Sequence, residues 1–479
     1  MTRKSFLNAL WVLLLCLLPF TSLPIASKIL GSEMVAAPSI FPVILMGILW
    51  LVSAIFENNF KEISLPLLIF LVYCIAGSII TLFLGIPIQK DFNFVRSIVE
   101  VYITLLIGLA FFIVPLHYLK TRQQAIIAAK IVYWTFLPIF IWCGLQFGLE
   151  RISNGYPAWM EALQQGFSTS GLLYPGRVTG FAYEPSWLAH QLNILYIPLF
   201  FGPTLAGFSL YKKKFWIFSV ENILLAGSIL LLFLTKSRIG WTSFAFCAFY
   251  GLLILYKKMV VKLRVRFSAL NRKIWKLILP LVTSAAVIGI IFSGLFVSSK
   301  VDPRMELLFK AETYQNRNLL SVANDFFFAE RILYWQTGWE IFNDHPILGV
   351  GLGNFGFYFQ DYMPDFATAL DEPRELLFRA GYQANNKNLW TRLLSETGMI
   401  GFLIFVAWLI VLWFHSSELV KTEDKAGKSW GYITKIALIA LLFEGFSVDS
   451  FALPYYWLIL GMSSAAFLVF KNDQLEVVR

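Results

Sequence analysis

The sequence predicts an all-α polytopic membrane protein of about twelve transmembrane helices, with a large, partly helical extracytoplasmic loop between the ninth and tenth. Three observations carry that expectation. Apolar residues make up 58% of the 479-residue chain and charged residues 14%, at a mean hydropathy of +0.68, whereas soluble domains are about half apolar and a quarter charged. Apolar runs long enough to cross the ~30 Å hydrocarbon layer recur along the chain. The Lys and Arg residues between those runs fall preferentially on alternate connections.

Twelve candidate spans occupy 6–23, 36–56, 64–85, 97–115, 131–149, 184–206, 216–234, 240–256, 277–298, 398–415, 431–449 and 452–470. With the N-terminus placed inside, because of Arg3 and Lys4, 22 Lys and Arg fall in the inner segments and seven in the short outer ones. This is the asymmetry of the positive-inside rule. Both termini are then cytoplasmic, and the net charge of +10 reads as a topology signal rather than a nucleic-acid footprint. The densest cluster, Lys257, Lys258, Lys262, Arg264, Arg266, Arg272, Lys273 and Lys276, lies between the eighth and ninth spans and reads as an anchor on anionic lipid. The first segment has a basic start but no small-residue cleavage site, so it reads as an anchor rather than a signal peptide.

This divides the chain into 1–298, spans one to nine with the outer loop 150–183; 299–397, the extracytoplasmic loop; and 398–479, spans ten to twelve with a cytoplasmic tail. Within the long loop, Asp325 is placed to cap a helix whose positions Phe328, Ile332, Trp335, Trp339 and Phe342 recur at spacings of three or four. That helix is expected to lie on the bilayer surface or to roof the bundle. Cys16, Cys74, Cys143 and Cys247 are far apart in apolar runs, without CxxC spacing, and read as small packing residues.

Ionisable groups near membrane depth are costly and mark function; three outer places concentrate them. In Arg177–Ser186, Pro185 suits the first turn of the sixth span, where a missing amide costs nothing, and the helix start favours an anion. In Thr235–Gly240, Lys236 and Arg238 have no acid among their immediate neighbours. They suit a diphosphate, or alternatively snorkel to lipid headgroups. The third place holds Arg331, then His345–Phe355, then Asn385–Trp390 and Glu396–Gly401. Gly351–Gly356 is literally GxGxxG, but no βαβ unit surrounds it, so it reads as a tight turn that lets backbones approach closely.

The four histidines do not suggest a Ser-His-Asp arrangement, and the absence of DxD among the outer acids gives a metal-bound nucleotide sugar no support. No metal and no cofactor is expected. Glu444 and Asp449 read as structural partners of a basic residue.

These segments together resemble the O-antigen ligase and O-antigen polymerase superfamily, membrane glycosyltransferases of the GT-C type, over nearly the whole chain. Arg177 to Ser186 is similar to its R-x-x-G-x-x-x-E-P-S element, Lys236 to Gly240 to its S-R-x-G element, and Pro346 to Phe355 to its P-x-x-G-x-G-x-G-N-F element. The ligase branch has a His-Asn or His-Ser pair, nine residues and G-x-x-G. Here Asn388 is followed by nine residues and then Gly398 and Gly401, but Lys387 fills the histidine position.

The resemblance implies a glycan on undecaprenyl diphosphate as donor, a lipid-linked or core acceptor, and a metal-independent, inverting transfer. It also allows a chain-length-regulating co-polymerase as partner. Arg177, Arg238, Lys236 and Arg331 are then expected to grip the diphosphate, and Lys387 and Asn388 to contact phosphate or sugar. Glu184 is the expected base, since an ordinary Lys stays protonated at neutral pH. With lysine at the histidine position, polymerase is the first reading and ligase the second. A flippase or transporter is the alternative of another class, expected to place its charges nearer the midplane.

Overall fold

A computed structural model describes residues 2–31, 36–57, 64–89, 92–211, 214–266, 319–325, 328–378 and 383–478, with isolated positions at 289, 306, 307 and 310. The described chain is mostly helical. In order, the helices are α1 (Arg3–Cys16), α2 (Pro24–Leu30), α3 (Ile40–Glu57), α4 (Leu65–Leu84), α5 (Phe94–Tyr118), α6 (Arg122–Ser153), α7 (Ala158–Phe167), α8 (Pro185–Gln191), α9 (Ile197–Ala206), α10 (Val220–Leu234) and α11 (Arg238–Arg266). There follow α12 (Leu319–Asp325), α13 (Ala329–Asp344), α14 (Phe355–Tyr362), α15 (Asp371–Phe378), α16 (Leu389–Lys421), α17 (Lys425–Glu444) and α18 (Pro454–Val478). A π-turn, Leu192–Tyr196, joins α8 to α9, and a short antiparallel pair, β1 (Lys214–Phe215) with β2 (Phe218–Ser219), precedes α10.

Eleven of the twelve expected segments overlap helices; the ninth, 277–298, lies outside the described residues apart from Gly289, as do Arg272, Lys273 and Lys276. Among the described residues, five helices are long and apolar enough to cross a membrane: Leu65–Leu84, Phe94–Tyr118, Arg122–Ser153, Arg238–Val261 and Leu389–Lys421. Their outward faces carry Phe83, Trp134, Ile141 and Phe414, all exposed, which a water-soluble surface would not tolerate in such number. The protein is an integral membrane protein.

Aromatic contacts fill the centre. Trp408 of α16 and Trp457 of α18 stack with centroids 5.3 Å apart, and Phe112 and Phe405 meet Trp408 edge-on at 5.4 and 5.3 Å. Such pairs add about 0.5–1.5 kcal/mol each beyond burial. Cys74, Cys143 and Cys247 are buried in this packing, while Cys16 is exposed.

The bundle has two unlike ends. At one, Arg122 bonds Asp424 at 2.8 Å and lies over Phe470, Lys130 lies over Tyr211, and Lys258 donates to the Leu205 carbonyl. At the other lie the loops that carry the three motif segments.

Two expectations for the long loop are corrected. Asp325 ends α12 instead of capping the next helix; Phe328 is the N-cap residue of α13 and makes no side-chain cap bond. The buried residues of α13 are Ala329, Leu333, Tyr334, Thr337, Gly338, Ile341 and Phe342. Of the expected stripe Phe342 is among them, whereas Phe328, Ile332 and Trp335 are half-buried and Trp339 is exposed. The reason is tertiary. Gly338 lets α13 lie directly on Asn386 and Thr391, where a Cβ would stand 2.6 Å from the Asn386 amide nitrogen.

The glycine-rich segment 349–353 is a brace. Val350 and Gly351 donate from their amides to the carbonyls of Ser395 and Glu396, both at 2.9 Å, and Met399 donates to Pro346 at 2.8 Å. This pairing needs α16 to open, and it opens at Gly398, with φ 62° and ψ −172°. That conformation is essentially restricted to glycine, and a Cβ there would overlap the Ile347 carbonyl. The Tyr73 hydroxyl of α4 closes the joint, donating to Thr397 O at 2.9 Å.

Gly398→Ala should therefore lower the thermal midpoint of the purified protein in micelles, with at least about 1–3 kcal/mol lost to backbone strain. Gly144→Ala on α6, where a Cβ meets nothing within 4 Å, should be neutral or stabilising by up to about 1 kcal/mol. Equal midpoints for the two variants would overturn this account of the break.

Candidate functional site

The first motif segment is held from below by two buried glutamines. Gln146 of α6 accepts at Oε1 from the amides of Thr179 and Gly180, at 3.0 and 3.1 Å, and Gln164 of α7 donates to Gly180 O at 3.2 Å. Gly180 is left-handed at φ 59°, which turns the chain so that Pro185 opens α8, as expected, with Glu184 as its N-cap residue. The Glu184 carboxylate accepts from the Ser186 hydroxyl at Oε1.

The first and second segments are joined. Val178 N donates to Leu234 O at 3.1 Å, and Arg177 Nε donates to Thr235 O at 2.8 Å. The latter bond spends one edge of the Arg177 guanidinium on capping α10. Lys236 takes a left-handed turn at φ 50°, and its ammonium lies beside Gly176. Arg238 begins α11. Gly240 is the close-approach glycine of this segment: a Cβ would stand 2.8 Å from Ala189 Cβ, and the Gly240 carbonyl accepts from Asn193 Nδ2 at 2.8 Å. The S-R-x-G spacing thus seats the head of α11 against α8 and the π-turn, a feature that recurs at functional sites.

Arg331 on α13 lies at the centre of the charges. Burial lowers its pKa, and the carboxylates of Glu184, Glu444, Glu372 and Glu330 oppose that shift. Its Nη1 is buried without a hydrogen-bond partner. Glu444, at the end of α17, is itself buried; its Oε1 accepts from Asn193 Nδ2 at 2.6 Å and its Oε2 stands 3.4 Å from His190 Nδ1. The sequence suggested a structural partner for Glu444. Histidine and asparagine make the direct contacts.

Lys387 shares an acid, Glu372, with Arg331. Its ammonium pairs with Glu372 of α15 and lies 4.7 Å from the centroid of the Tyr334 ring. Its backbone is left-handed at φ 53°, with the amide donating to Asp449 Oδ2 at 3.0 Å. Glu330 shares a hydrogen bond with Glu372. Burial raises the Glu330 pKa, Glu372 raises it further and Lys387 opposes the rise. Asn388 is the N-cap residue of α16, its Oδ1 accepting from Trp390 N at 2.9 Å, while its Nδ2 is buried without a partner.

Three participants escaped sequence reasoning. Glu330 and Glu372 are brought to Lys387 only by the folding of α13 and α15 onto α16, and no spacing signals that. The third, Arg392–Glu396, is an i,i+4 pair that sequence can show. Arg392 Nε bonds Glu396 Oε2 at 2.9 Å, and Arg392 Nη1 donates to Asp449 O at 2.7 Å. It links the glycine-rich brace to the Lys387 turn. His345, by contrast, only meets Tyr358 edge-on at 5.6 Å. Among the described residues no group of three His, Cys, Asp or Glu is arranged to hold a metal ion.

No curated protein matches the chain. Residues 223–406, from α10 into α16, match the family model described as O-Antigen ligase (Wzy_C), a family of membrane glycosyltransferase-like enzymes acting on lipid-linked oligosaccharides. That stretch holds the S-R-x-G segment, Arg331, the glycine-rich brace and the Lys387 turn, and over it this chain is similar to the O-antigen ligase family.

Proposed function

We propose that the chain is a polysaccharide polymerase that transfers a growing glycan from undecaprenyl diphosphate to the next lipid-linked repeat unit. The reaction takes place on the outer side of the bacterial cytoplasmic membrane, with both termini inside. The observation that carries this reading is the convergence of Arg177, Lys236, the head of α11 at Arg238, Arg331 and Lys387 at the end of the bundle opposite its basic turns. Five cations there face the acids Glu184, Glu330, Glu372 and Glu444. The excess of cations over these acids suits a diphosphate.

In the transfer, the acceptor hydroxyl oxygen attacks the anomeric carbon while the bond from that carbon to the diphosphate oxygen breaks, inverting the centre. The charge that grows on the departing diphosphate is met by Arg331, whose buried Nη1 donor is unspent, and by Arg177, Lys236 and Arg238. Fixed donors of this kind typically contribute several kcal/mol to a transition state. The charge is met without a metal. The hydroxyl proton passes to Glu184, which the Ser186 hydroxyl orients. Lys387, already neutralised by Glu372, serves better as a positioned sugar-hydroxyl donor than as a free phosphate clamp, beside Asn388.

The second reading, a ligase that passes the glycan to lipid A core, is favoured by the description of the matched family. Lysine in place of the ligase histidine favours polymerase. A flippase is disfavoured by charge gathered at one mouth. A chain-length-regulating co-polymerase would be the protein partner of the polymerase.

Reporter fusions at Val265 and Lys425 should read cytoplasmic, and those at Gln165 and Gln360 extracytoplasmic; a cytoplasmic reading at Gln360 removes the lipid-linked donor from reach. Arg177→Ala and Arg238→Ala should each reduce glycan transfer by about a hundredfold or more at unchanged membrane abundance. Arg238→Lys should restore only part, because the planar fork is lost. Glu184→Gln should lower kcat far more than donor binding, and near-normal turnover would dismiss it as base. Cells lacking the protein should accumulate single repeat units, on the carrier or capped onto core. Long chains stranded on the carrier would favour the ligase instead, and units confined to the inner leaflet the flippase.

A further inference from the structure

At the end of the bundle remote from the candidate site, α1, α3 and the α5–α6 turn enclose a cleft of about 520 Å³, within the usual range of small-ligand sites. Its rim carries Arg3, Lys4 and Lys120, all exposed, and its floor includes buried Met46 and Val114 with Trp50 beside them. No acid lines the cleft, and among the described residues none of the three cations has an ion-pair partner. The rim is therefore uncompensated positive charge above an apolar floor.

That gradient selects its ligand. A small soluble anion would satisfy the rim and leave Met46, Val114 and Trp50 against water, whereas a neutral lipid would cover the floor and leave three like charges unanswered. An amphiphile with an anionic head answers both, and basic pockets between membrane helices suit such headgroups. We infer that the cleft is a binding site for an anionic phospholipid, its phosphate held by Arg3, Lys4 and Lys120 and an acyl chain lying along the floor. The site is separate from the glycan chemistry. It joins the N-terminal helix to the α5–α6 turn, where Tyr118 donates to Asn8 Oδ1 at 2.7 Å, so lipid held there would fasten α1 to the bundle.

The test uses the full chain purified in micelles and read by native mass spectrometry against phosphatidylglycerol, phosphatidylcholine and inorganic phosphate. Phosphatidylglycerol should bind at least about tenfold more tightly than phosphatidylcholine. Lys4→Gln with Lys120→Gln should remove most of that preference, since each basic group near an anionic headgroup is worth roughly fivefold, and the corresponding double Arg variant should keep it. An unchanged preference in the double Gln variant overturns the proposal, as does equal binding of phosphatidylcholine. Phosphate alone binding as tightly as the phospholipid would show an anion site and no lipid site. Should the Gln variant fail to fold, the wild-type chain decides. A photoactivatable phosphatidylglycerol should label residues 3–8, 46–50 or 114–124, and labelling confined elsewhere refutes the assignment.

Discussion

Arg331 is an almost fully buried guanidinium, and the arrangement of the candidate site follows from the need to keep it charged. Taking such a group from water costs several kcal/mol even after relaxation, and the cost is offset by placing carboxylates around it. Here those carboxylates come from four separate elements: Glu184 before α8, Glu330 on α13 itself, Glu372 on α15 and Glu444 at the end of α17. Each of these elements must stand within electrostatic reach of one atom group. The charge requirement therefore ties the loop helices to the bundle more specifically than apolar packing could. It also leaves Nη1 without a partner, and a buried donor left unmade is expensive unless something arrives to accept it.

The approach of these elements rests on a few glycines. Gly240 lets α11 close on α8, Gly338 lets α13 lie on Asn386, and Gly398 opens α16 so that the 349–353 segment pairs with its backbone. These glycines act by excluding side chains from helix crossings, the close backbone approach that the glycine-rich segment suggests in sequence. In each segment a glycine and the charged residue near it serve the same joint: Arg238 is delivered by the α11 crossing that Gly240 permits, and Lys387 by the α16 start that the brace steadies.

Much of the secondary structure was legible in the sequence, because apolar runs and basic turns are local features. Pro185 at the start of α8 and the turn nature of Gly351–Gly356 were likewise local and readable. The register of α13 was not. Its face is chosen by what lies beneath it, and the aromatic periodicity of Phe328, Ile332, Trp335 and Trp339 marks the partly exposed side; Trp335 meets Phe446 there, with centroids 5.5 Å apart. The acids were the larger omission. Glu372 lies on an eight-residue helix with four charged residues, DEPRELLF, and nothing in that string distinguishes a solvated acid from the partner of a lysine fifteen residues later. Pairing across elements is written in tertiary packing, which one sequence does not display.

Lysine at position 387 has a physical consequence for how the site can work. A histidine there could exchange a proton near neutral pH. A lysine does so only if burial or neighbouring cations depress it, and the neighbours of Lys387 are an acid and a ring: Glu372 on its ammonium, Glu330 beyond and the Tyr334 ring beneath it. In the reaction proposed above the proton goes instead to Glu184, the acid of the first motif segment, whose Ser186 partner is a hydroxyl and not a cation. On that reading, lysine in place of histidine leaves the α16 turn as a charge-compensated wall of hydrogen-bond donors, and a glycan lying along it would find its base at Glu184.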